Sequence, residues 1–119
     1  MKGIVSNAAF IAAAEDPFEM AHLFPRTTGL PMTVWVSPRG GARHGVTVKV
    51  GVTHGDQMSP VSTAEIGVRP WPHVITGRLA PDDEAAAFRW ISLNTAALAA
   101  YWEGEIDTAQ LGVRLKPLI

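Results

Sequence analysis

Apolar and polar positions alternate with a period of two through the middle of the chain and recur at three- and four-residue steps near its end. Met32, Val34 and Val36 alternate with Thr33, Trp35 and Ser37, between the turn Gly29-Leu30-Pro31 and the breaker Pro38-Arg39-Gly40-Gly41. Val46, Val48, Val50 and Val52 then alternate with Thr47, Lys49 and Gly51, the clearest strand pattern in the chain. A third strand fits Thr63 to Arg69, with Ala64, Ile66 and Val68 on one face, and a fourth fits His73 to Leu79 after the interruption Pro70-Trp71-Pro72.

Helical signals flank this region. Ala8 to Glu15 is rich in helix formers, and Asp16-Pro17-Phe18-Glu19 is a start signal for a short helix carrying Met20, Ala21, Leu23 and Phe24, stopped by Pro25. Pro81-Asp82-Asp83-Glu84 opens a long helix running to about Trp102, its acids favourably placed against the helix dipole. Phe88, Ile91, Thr95, Leu98 and Trp102 form its apolar stripe, with Trp90 and Tyr101 beside it. Asp107-Thr108-Ala109-Gln110 has the form of a capping box and predicts a last short helix with Leu111 and Leu115, stopped by Pro117. These elements predict one α+β domain over residues 1–119. It has a four-stranded, mainly antiparallel sheet, a long C-terminal helix packed on one face, and short flanking helices. The packed face would carry Val34, Val48, Val50, Ile66 and Val68; the outer face would carry Trp35, Thr47, Lys49 and Glu65.

Composition narrows the function classes. With 119 residues, 47% hydrophobic and 18% charged, the chain can bury one core and is far from a disordered composition. It has no cysteine, which excludes disulfides, thiolate metal sites and cysteine nucleophiles and fits a reducing cytoplasm. The apolar run Ala8 to Ala14 is short for a secretory leader, and no stretch reaches the ~20 apolar residues of a membrane helix, so no membrane partner is expected.

Catalytic chemistry is thinly represented. None of the four histidines, His22, His44, His54 and His73, shares a short ligand spacing with another. His44, His54 and Asp56 could meet only if loops brought them together, because the strand between the two histidines spans about 20 Å. No serine sits in a nucleophile elbow and no glycine-rich loop cradles phosphate. No catalytic residue, cofactor or metal is expected, and an enzyme using His44, His54 and Asp56 is the least favoured reading.

Charge and aromatic content point to binding. Between Met20 and Gly55 the chain carries Arg26, Arg39, Arg43 and Lys49 and no acid. On the predicted hairpin 35–54, Arg39, Arg43 and Lys49 could hold phosphates while Trp35 stacks a base; an ordinary solvated hairpin explains the same residues. Four tryptophans are many for this length. Trp102 belongs to the predicted core. Trp71, between two prolines, is either a binding anchor or covered, and its bond to Pro72 is a candidate cis bond. Trp35 is expected beneath the N-terminal segment rather than as an anchor.

Three strings near the C-terminus carry a resemblance: Trp90-Ile91-Ser92-Leu93-Asn94, then Tyr101-Trp102-Glu103-Gly104-Glu105-Ile106-Asp107-Thr108, then Leu115-Lys116-Pro117-Leu118. With Gly29-Leu30-Pro31, Lys49-Val50 and Gly55-Asp56, residues 29–118 resemble short uncharacterised bacterial proteins classed as domains of unknown function. The resemblance implies a small stand-alone protein and carries no catalytic residue across. The expectation is a non-enzymatic binding or regulatory protein that contacts a protein partner or itself as a homodimer, with nucleic-acid binding through hairpin 35–54 as the alternative. The candidate binding residues are Trp35, Arg39, Arg43, Lys49 and Trp71.

Overall fold

The computed structural model describes residues 20–38, 45–57, 59 and 61–119. Five strands, β1 (Ala21–Leu23), β2 (Met32–Val36), β3 (Thr47–His54), β4 (Thr63–Gly67) and β5 (His73–Thr76), form one sheet. Its order is β1-β2-β3-β4-β5, and every neighbouring pair is antiparallel. One helical turn, α1 (Pro25–Thr28), joins β1 to β2, and α2 (Pro81–Leu93), α3 (Thr95–Trp102) and α4 (Thr108–Arg114) follow the sheet.

Strand register sorts the side chains onto two faces. Pairings Val36 with Val48, Val34 with Val50, Val48 with Ile66 and Val50 with Ala64 put these valines, Ala64 and Ile66 on one face. They join Ala87, Trp90, Ile91, Leu98, Tyr101 and Leu111 of the helices in one buried cluster, so the expected helix-on-sheet packing is present. Each large apolar side chain in it contributes about 1.5–3 kcal/mol of burial.

The sheet has five strands where four were expected, because Ala21–Leu23 is a strand and not part of a helix. Ala21 pairs with Val36 and Leu23 with Val34, so both side chains enter the cluster while His22 faces the other way. The open edge of β2 offers backbone partners and a place for two apolar side chains, and this outweighs the helix propensity of Ala21 and Leu23. Pro25 opens the single turn α1, which ends at Gly29 with φ of 80°. The start signal at Asp16-Pro17 and the run Ala8 to Glu15 lie outside the described residues.

The expected long helix is two helices with a break at Asn94. The buried Asn94 side chain donates to the carbonyl oxygens of Trp90 (3.0 Å) and Lys116 (2.9 Å) and accepts from the Lys116 N–H (2.7 Å). Its backbone, at φ −118° and ψ 16°, leaves helical geometry between α2 and α3. The C-terminal segment is thereby tied down, and Leu118 donates a further hydrogen bond to the Thr28 carbonyl at 2.7 Å. A Cβ at Gly29 would overlap the Leu118 carbonyl oxygen, so Gly29 serves both the left-handed turn and this close approach.

The buried stripe of the two helices is offset by one residue from expectation. It runs through Ala87, Trp90, Ile91, Asn94, Ala97, Leu98 and Tyr101, and leaves Phe88, Thr95 and Trp102 half-buried. The capping box forms as its sequence predicts: Asp107 accepts from the Gln110 N–H and Gln110 accepts from the Asp107 N–H, both at 2.8 Å. The cis peptide bond is Arg69–Pro70, not Trp71–Pro72. No described helix is long and apolar enough to cross a membrane.

Candidate functional site

The face of the sheet opposite the helices has a polar row running across all five strands. His22 pairs with Trp35, Trp35 with Lys49, Lys49 with Glu65 and Glu65 with Thr76. The His22 and Trp35 rings stack at 4.9 Å between centroids and 25° between planes. Trp35 is buried, as are Thr33, Ser37, Thr47 and Glu65 around it. The covered outcome expected for Trp35 therefore holds, and the stack on His22 occupies one face of the indole. Lys49 is half-buried between Trp35 and Glu65. The buried Glu65 Oε2 has no hydrogen-bond partner. Arg39 and Arg43 lie outside the described residues.

At the end of the sheet where β3 stops, ionisable side chains meet that sequence spacing does not bring together. Nε2 of His54 lies 2.9 Å from Oδ2 of Asp83, in the first turn of α2. Asp56 is held instead by Arg26, 3.2 Å away, and the Arg26 guanidinium also lies 4.7 Å over the Phe24 ring. The proposed partnership of His54 with Asp56 is thus replaced by two separate pairs, and His44 lies outside the described residues. His54, Asp56 and Arg26 are exposed, which keeps both pairs weak. His22, Phe24, Thr33, Trp35, Asp56 and Gln57 line a hollow of about 440 Å³ beside them. Among the described residues no group of three or more His, Asp or Glu side chains is arranged to hold a metal ion.

The β5 margin differs from both. Trp71 is 67% exposed on the turn before β5. Nδ1 of His73 donates to the Trp71 carbonyl oxygen at 2.7 Å. The His73 ring itself lies over Gly67, where a Cβ would overlap it. Pro70 and Pro72 restrict the chain on either side. Next in sequence, Pro72 joins Phe88, Arg89, Ser92 and Leu93 of α2 around a shallow groove of about 570 Å³, and Leu93 is 46% exposed. The arrangement offers apolar contact area and no reactive centre.

Trp71 was visible in the sequence; its neighbours were not. The helical spacing puts Phe88 in the core stripe, whereas the one-residue offset of that stripe turns it half outward toward Pro72. Of the candidate binding residues, Trp35 and Lys49 share the polar row and Trp71 stands apart at the margin. No family model, curated protein or solved structure matches this chain.

Proposed function

We propose that this protein is a non-enzymatic binding or regulatory module that acts through protein contacts, and that the β5 margin around Trp71 is its contact surface. The observation that carries this reading is the 67% exposure of Trp71, the residue before Pro72, which lines a groove together with Phe88 and Leu93. Exposed aromatic and apolar groups gathered in one patch are what protein partners bury, and tryptophan is prominent among residues that dominate binding energy. The pinned main chain at Trp71 supports the same reading, since a backbone already held in place loses less entropy on docking. A second copy of the chain is one such partner. Nucleic-acid binding through hairpin 35–54 is the weaker reading, because Trp35 is already stacked and buried.

The test is a pull-down from native lysate with and without nuclease, using the wild type and Trp71→Ala side by side. The expected result is a stoichiometric protein partner that survives nuclease and is lost with Trp71→Ala. Retention of that partner by the variant would remove the β5 margin from the proposal. Co-purifying nucleic acid, lost in the double variant Arg39→Glu with Arg43→Glu, would put the hairpin in its place.

A further inference from the structure

The groove beside Trp71 has a charge property that narrows its partner. Arg26 is paired with Asp56 and Arg69 with Glu103, each at 3.2 Å. Arg89, which lines the groove, has no acidic partner among the described residues. The local sequence explains this. An acid on α2 could reach Arg89 from three or four residues away, and those positions hold Ala85, Ala86, Ser92 and Leu93. The acids of this helix, Asp82, Asp83 and Glu84, are gathered in its first turn, and Asp83 is engaged by His54. A guanidinium is thus left at a mostly apolar groove, bordered by Pro72, Phe88, Leu93 and the Ser92 hydroxyl.

We infer that the groove takes an apolar segment of another protein with a carboxylate side chain next to its anchoring residue. This rests on the protein-contact reading. The apolar anchor fills the space between Pro72, Phe88 and Leu93, the exposed Trp71 next to Pro72 in sequence adds apolar contact at its border, and Arg89 receives the carboxylate. The fork of donors on arginine suits a carboxylate better than any neutral acceptor, and the pair is formed while the anchor excludes water from beside it. A neutral apolar segment would leave Arg89 partly desolvated without a partner, so the acid sets specificity more than affinity.

The experiment is selection from a random twelve-residue peptide library displayed on phage, panned against the purified protein. Enriched peptides are then made synthetically and titrated against the wild type, Trp71→Ala and Arg89→Glu. Enriched sequences should carry Asp or Glu adjacent to a large apolar residue. Changing that acid to its amide should weaken binding about fivefold. Trp71→Ala should weaken it at least tenfold. A second selection on Arg89→Glu should enrich Lys or Arg at the position that carried the acid.

Peptides that lose binding with Trp71→Ala but ignore both the acid-to-amide change and Arg89→Glu would overturn the acidic partner while leaving the docking surface intact. Peptides that bind Trp71→Ala as well as the wild type, or an absence of enrichment, would overturn the inference together with the surface it uses. Dimerisation of the wild type in sedimentation that disappears with Trp71→Ala, without peptide enrichment, would make a second copy the occupant instead.

Discussion

Two tryptophans, one within the sheet and one just beyond its last strand, meet opposite fates, and the difference lies in their neighbours. Trp35 sits inside β2, in the middle of the row His22, Trp35, Lys49, Glu65, Thr76, and is 6% exposed. Trp71 sits just outside β5, between Pro70 and Pro72, and is 67% exposed. A strand interior surrounds a side chain with cross-strand neighbours, here the His22 ring on one side and Lys49 on the other. A turn held by prolines and by the His73 hydrogen bond offers no such neighbours and presents its side chain outward. Residue type alone therefore says little about role; Trp35 reads as structural and Trp71 as available for contact.

The sharpest way to break this contrast is to remove each ring. Trp35→Ala should lower stability by about 3 kcal/mol or more, as a buried aromatic deletion does, with loss of the stack on His22 included. Urea unfolding followed by far-ultraviolet circular dichroism measures it. A loss below about 1 kcal/mol would mean that Trp35 is not held by its surroundings and would reopen it as a binding residue.

His73→Ala addresses the margin. It removes the donor to the Trp71 carbonyl and the ring over Gly67, both partly exposed, so the stability loss should be about 1 kcal/mol. Its larger effect should fall on order at Trp71. Relaxation measurements on the Trp71 indole N–H should show greater motion on the nanosecond scale than in the wild type. Unchanged relaxation would show that the flanking prolines alone hold the turn.

The contrast was half legible in the sequence. Period-two alternation places β2, β3 and β4, because successive side chains of a strand point to opposite faces and the helix-packed face must be apolar, and it puts Trp35 opposite the valines of β2. β1 was missed because three residues are too few for a period, and its partner β2 supplies what propensity does not. The helix stripe was misplaced by one residue for a related reason. Phe88 and Trp102 draw the eye as large apolar groups, but Ala87 and Ala97 make the buried contacts, and Asn94, polar in any reading, is buried because it binds the Lys116 backbone. That same offset turns Phe88 toward Pro72 and creates the groove. The pair His54 and Asp83 joins residues 29 apart in sequence, and no local spacing encodes it.

The smallest expected effect carries the most weight for function. Trp71→Ala removes an exposed ring that stands outside the buried core cluster, while its carbonyl still accepts from His73. Stability should change by no more than about 0.5 kcal/mol, because an exposed side chain away from caps and buried networks contributes little to folding. The unfolding midpoint in urea should therefore match the wild type at equal slope. A near-silent deletion of the largest exposed aromatic group would leave folding without an explanation for that ring and docking with one. A drop of 2 kcal/mol or more would mean that the ring covers Pro72, Phe88 and Leu93 within the chain itself. The margin would then be a lid on the protein's own surface, and the distinction between the two tryptophans would collapse into two degrees of burial.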